Sequence, residues 1–97
     1  MHTESEIRTI LKAVIDPDIG INIVDLGLVA EIACNGDAVC VGLIMTTPAC
    51  PQSNHLRDES ARHLARSGVT AAVSVLAAPL WDPSRMSDVA RKSLGWS

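Results

Sequence analysis

Leu28-Val29-Ala30-Glu31-Ile32-Ala33-Cys34-Asn35-Gly36-Asp37-Ala38-Val39-Cys40-Val41-Gly42-Leu43-Ile44-Met45 is the stretch that decides the fold. Side chains along a strand alternate between two faces, and Val39, Val41, Leu43 and Met45 all fall on one of them. Asn35-Gly36 between two such runs is a strong hairpin signal, because the tight turn needs residues that tolerate positive φ. The reading is a pair of strands, roughly Leu28–Cys34 and Ala38–Met45. A two-residue turn sets Leu28, Ala30, Ile32 and Cys34 against the odd positions of the second strand, giving one apolar face. Cys40 then points away from Cys34, which argues against the two acting as a disulfide or as paired ligands.

Upstream, Thr3-Glu4-Ser5-Glu6 has the form of a capping box, with Thr3 as N-cap. Ile7, Ile10, Leu11 and Val14 follow at the spacing of one helix face. Pro17 disfavours helical geometry at Asp16 and Gly20 permits a turn, so Asp16-Pro17-Asp18-Ile19-Gly20 ends the helix. Ile21 to Gly27 is an apolar connection interrupted by Asn22 and Asp25. Downstream, Pro51 suits the first position of a second helix, about Pro51 to Ser67, with Gly68 as its stop. Thr70 to Ala77 reads as a third strand. Ser84 is the expected N-cap of a last helix through Met86, Val89, Ala90 and Leu94, closed by Gly95. The order α-β-β-α-β-α gives an α+β fold: one domain over residues 1–97, a small three-stranded sheet with helices on one face.

Composition narrows the function. Hydrophobic residues make up 47% of the 97 and charged residues 20%, with no Phe or Tyr, so the chain as a whole is not a disordered polar tail and its core is built from small aliphatics. The net charge is −3 without a basic block, which removes the phosphate-neutralising surface a nucleic-acid partner needs. No apolar run approaches the ~20 residues of a membrane span, and the polar, acidic start lacks the basic region of a signal peptide. The expected location is the cytoplasm. Three cysteines without a CxxC pair argue against a disulfide framework and against a self-contained four-ligand cage.

Cys50 is the most informative residue. At or beside the N-cap of the second helix its sulfur meets free N–H groups and the positive end of the helix dipole, which favour the reactive, metal-binding thiolate. The bland alternative is a small buried hydrophobe; proline two residues before and immediately after tilts the reading toward a presented thiol. Core packing is the expectation for Cys34 and Cys40. Asp16 and Asp18 offer carboxylates, although turn formation is the simpler reading for Asp18. Asp25, in an apolar run, either holds the junction loop or touches a ligand. Thr46 and Thr47 either hydrogen-bond a thiolate or sulfide beside Cys50, or satisfy backbone groups at the strand end. Packing is the first explanation for Trp81 and Trp96. Neither a catalytic triad nor a phosphate loop is present, and the expectation is a non-enzyme.

Three separate segments match a known pattern. Asp16-Pro17-Asp18-Ile19-Gly20-Ile21-Asn22-Ile23-Val24-Asp25-Leu26-Gly27-Leu28-Val29 resembles the DPEIGxNIVDLGLV signature of the iron–sulfur cluster assembly domain family. Met45-Thr46-Thr47-Pro48-Ala49-Cys50-Pro51 is similar to its LTTPGCP segment, with Ala49 in place of the usual glycine. Trp81-Asp82-Pro83-Ser84-Arg85-Met86-Ser87, continuing to Leu94-Gly95-Trp96, is similar to its PPWxPxxMSxxAxxxLGW ending. Ser97 follows without the cysteine-rich part of PaaD-like members, so the SufT-like branch is the expectation. The resemblance implies an accessory role in iron–sulfur cluster assembly or delivery. Cys50 would be a labile metal ligand, with Asp16, Asp25, Thr46 and Thr47 supporting the site or its loop. It also implies a transient iron–sulfur cluster or iron as cofactor, with assembly proteins, client apo-proteins and a second copy of the chain as partners. The alternative is an adaptor that docks the assembly machinery or an oxygenase without holding a cluster.

Overall fold

The computed structural model describes residues 3–17, 19–46 and 53–95. Its elements are α1 (Glu4–Leu11), β1 (Val29–Asn35), β2 (Ala38–Leu43), α2 (Ser53–Arg66), β3 (Thr70–Val75), a 3-10 turn (Pro83–Arg85) and α3 (Asp88–Ser93). The α-β-β-α-β-α order and the α+β class are as expected. The sheet is mixed, in the order β1-β2-β3: β2 pairs antiparallel with β1 and parallel with β3. A parallel pair needs a crossover long enough to return the chain to the same end, and α2 is that crossover.

α1 and α2 are each placed by a stripe of aliphatics. Ile7 and Leu11 of α1 and Leu56 and Leu64 of α2 are fully buried, packed with Val41 and Leu43 of β2 in one core. Fully burying such a side chain contributes about 1.5–3 kcal/mol. Ser60, also fully buried on α2, donates its hydroxyl to the Leu56 carbonyl at 2.7 Å, which satisfies it inside the helix. At the start of α1 the Thr3 Oγ1 accepts the Glu6 N–H at 3.1 Å. Thr3→Ala removes this cap and costs about 1 kcal/mol, measured as a lowered urea midpoint with an unchanged slope.

The structure corrects four local expectations. The hairpin turn is Gly36-Asp37, since Asn35 still pairs with Ala38; Gly36 takes the positive φ of 62°. Cys34 opposes Val39 and Ile32 opposes Val41 as expected, but a bulge between Val29 and Glu31 sets Val29 opposite Leu43 in place of Ala30. The extra residue turns the larger Val29 into the core, where it is 5% exposed. The last helix does not start at Ser84. Asp82 caps the short 3-10 turn and Ser87, whose hydroxyl accepts the Ala90 N–H, caps α3. Cys34 and Cys40 are both exposed, not packed in the core. Cys34 opposes the buried Val39 near the hairpin end of β1, yet is itself exposed. Cys40 aligns with Ala33 and Ala72 on the sheet face opposite the buried Val39 and Val41.

Candidate functional site

The segment between α1 and β1 is folded on itself. Ile15 and Asn22 form an isolated bridge, Asp16 N–H donates to the Ile21 carbonyl at 3.0 Å and Gly20 N–H to the Asp16 carbonyl at 2.7 Å. The Asp16 side chain, 3% exposed, accepts the Ile19 N–H at 3.3 Å, the side-chain-to-backbone bond by which aspartate shapes a turn. Asp25 is half-buried. Its carboxylate accepts from Asn22 Nδ2 at 2.7 Å while its own N–H donates to Asn22 Oδ1 at 2.9 Å. This reciprocal pair fixes where the carboxylate sits.

A second segment, residues 81–87, clasps this loop from outside. Ser87 N–H donates to the Asp25 carbonyl at 2.8 Å, Trp81 Nε1 to the Leu26 carbonyl at 2.7 Å and Arg85 Nε to the Gly27 carbonyl at 3.0 Å. Three successive carbonyls are therefore held by one strap, across 55 to 58 residues of sequence for the two side-chain bonds. The close approach requires glycine at position 27. Its φ is +79°, and a Cβ there would meet the Arg85 backbone oxygen. Trp81→Phe keeps the ring but leaves the Leu26 carbonyl without its donor. The expected loss is about 1–2 kcal/mol, with faster exchange at the Leu28 amide as the local readout.

Trp81 also forms one wall of an apolar groove of about 490 Å³. Ile44 and Met45, just past β2, and Val75 and Leu76, at and just past the end of β3, line it, and Leu80, 74% exposed, lies at its rim. Thr46 and Ser53 line the groove as well. These are the described residues on either side of the segment that contains Thr47 and Cys50, which lie outside the described residues, as do Asp18, Pro51 and Trp96. Among the predicted site residues, Thr46 is thus at the groove. Asp16 and Asp25 are not among its lining residues and are engaged in loop geometry. Within the described residues no three of His, Cys, Asp and Glu converge as a metal site. His55 is exposed, and half-buried His63 lies 3.6 Å from Glu59 through Nε2, within α2 and away from the groove lining.

Sequence reasoning assigned Trp81 to packing and passed over Arg85. Both donate to backbone carbonyls far away in sequence, and only the resemblance of the segment starting at Trp81 to the family's ending hinted at Trp81. The strap's own turn is stabilised by Asp82. The Ser84 hydroxyl and N–H bind its carboxylate and hold its pKa below the ordinary value, with Arg85 adding to the effect.

With this geometry in place, comparison with known proteins is decisive about kinship. Residues 4–77 match the model of a family described as iron-sulfur cluster assembly protein. The chain belongs to that family. Its relatives include an Fe-S protein maturation auxiliary factor of Porphyromonas gingivalis, 30% identical over 99% of this chain and 94% of the relative. Another is the Fe-S protein maturation auxiliary factor SufT of Staphylococcus aureus, 34% identical over 87% of this chain and 99% of the relative. The crystal structure of a domain of unknown function from Bacillus anthracis superposes with a TM-score of 0.90 at 30% identity, covering 95% of this chain and 91% of the other. The family match ends at Ala77, so the strap lies beyond it.

Proposed function

We propose that this chain is an accessory factor in iron–sulfur cluster assembly or delivery, in which the Cys50 thiolate is a labile ligand to a transferred cluster. The observation that carries this reading is the groove flanked by Thr46 and Ser53, the described residues bracketing the Cys50 segment, in a chain of the iron–sulfur cluster assembly family. The relatives named as maturation auxiliary factors support a role that is not catalytic.

A cluster usually takes four protein ligands, most often thiolates. Cys34 and Cys40 are directed to opposite faces of the sheet and cannot join one another at a site. Cys50 is then one ligand of an incomplete set, completed by a second copy, a partner protein or a small thiol. Incomplete ligation suits delivery, because the cluster leaves when a client supplies better ligands. In this reading the Thr46 and Thr47 hydroxyls would donate to the bound cluster or thiolate, while Asp16 and Asp25 support their own loop through Ile19 and Asn22. In cells depleted of the endogenous factor, wild type and Cys40→Ser restore the activity of a cluster-dependent enzyme. Cys50→Ser restores at least ten-fold less. Full rescue by Cys50→Ser would leave the adaptor as the better account.

A further inference from the structure

The two edges of the sheet differ in a way that packing does not require. β1 carries a bulge between Val29 and Glu31 and a charge at Glu31, two devices that discourage an incoming strand. β3, at the other edge, carries neither. It lies within a fifteen-residue stretch, Ser67 to Trp81, without a single charged residue. Leu76 N–H points inward to the Leu43 carbonyl at 2.7 Å. By the two-residue period of a strand, the N–H and C=O groups of Ala71, Val73 and Val75 therefore point out of the sheet. The same strand runs straight into the groove, whose lining includes Val75, Leu76, Leu80 and Trp81. Val75 is 38% exposed even though its partner Leu43 is fully buried.

We propose that β3 and the groove form a docking surface for an extended, uncharged segment of a partner protein, which adds as a fourth strand and seats one bulky apolar side chain between Val75, Leu80 and Trp81. This deepens the function proposed above and rests on it, since Thr46 and Ser53, the described residues on either side of the Cys50 segment, line the same groove. The backbone groups of Ala71, Val73 and Val75 supply affinity, and the groove supplies selectivity for the apolar residue, as in other strand-addition complexes. The segment must be uncharged because nothing between Ser67 and Trp81 can pair a desolvated charge. Area decides against a second copy as occupant. A six-residue strand edge is ~20 Å long and ~10 Å high, so edge pairing covers on the order of 200 Å² per copy. A stable dimer needs about 800 Å² per partner. A segment that also fills the groove, and that leaves readily, suits a client rather than a subunit.

The probe is a capped synthetic peptide of six alternating threonines and valines followed by leucine, with two terminal lysines outside the strand for solubility. It is titrated into 15N-labelled Cys50→Ser protein, so that no cluster chemistry contributes and failure of the cysteine reading cannot mask the result. The Ala71, Val73 and Val75 amides are expected to shift and to exchange at least ten-fold more slowly. The Trp81 indole N–H moves with them. A peptide N-methylated at alternate residues binds at least ten-fold more weakly, and so does the unmodified peptide to Leu80→Lys, an exposed substitution that leaves the core intact. The proposal is overturned if millimolar peptide leaves these amides unchanged, or if the N-methylated peptide binds as well. It is equally overturned if sedimentation shows the free protein already dimeric with the same amides protected.

Discussion

Gly27→Ala lowers stability by about 3 kcal/mol or more, the largest loss expected from adding a methyl group at any of the glycines. Two independent penalties meet at this position. A left-handed backbone costs an L-residue about 1–2 kcal/mol, and φ at Gly27 is +79°. The added Cβ also runs into the Arg85 backbone oxygen and lies 2.5 Å from Arg85 Cβ. Overpacking of that kind costs typically ~1–3 kcal/mol, and here the obstacle is main chain that cannot rotate aside. Relief requires the strap to lift, which breaks the bonds from Trp81 Nε1 and Arg85 Nε to the Leu26 and Gly27 carbonyls. Gly20→Ala is the control: φ is +81° but nothing lies within 4 Å of the new atom, so only the ~1–2 kcal/mol backbone penalty applies. Urea unfolding of the two variants separates the effects. Equal losses would mean that the strap does not press on the loop.

The same comparison shows what the sequence could and could not reveal. Local chemistry was legible: the Thr3 cap, the aliphatic stripe of α1, the Gly68 and Gly95 stops and the alternation of β2 depend on neighbours a few residues apart. The bulge at Ala30 was not, because alternation in Leu28–Cys34 reads equally well in either register until Leu43 selects Val29 as its partner. The burial of Cys34 and Cys40 was misjudged from residue type alone. Which sheet face has a cover is a tertiary fact, and the row of Ala33, Cys40 and Ala72 lies on the face away from the buried Val39 and Val41. The candidate site was half legible. Thr46, read from the sequence as lying where the second strand gives way to the proline junction, follows β2 by three residues and lines the groove. Asp16 drew attention as a carboxylate beside Pro17 and Asp25 as one in an apolar run, and their hydrogen bonds with Ile19 and Asn22 explain both placements by loop geometry. Arg85 gave no local signal because its partner, the Gly27 carbonyl, is 58 residues away.

The second large effect concerns Cys50 itself. Serine keeps the size of the side chain but replaces sulfur by a hydroxyl with little affinity for iron. Since Cys34 and Cys40 lie on opposite sheet faces, those two cysteines cannot together replace the ligand proposed at Cys50. Thr3→Ala and Cys40→Ser alter stability or surface without touching the groove lining, so both are expected to behave as wild type in any cluster-binding assay.

The most direct measurement is anaerobic reconstitution with ferrous iron and sulfide in the presence of a small thiol, followed by visible absorbance, for wild type, Cys40→Ser and Cys50→Ser. Sulfur-to-iron charge-transfer bands in wild type and Cys40→Ser, reduced at least ten-fold in Cys50→Ser, are the predicted result. Bands of equal strength in Cys50→Ser, or none in the wild-type protein, would contradict a cluster held through Cys50.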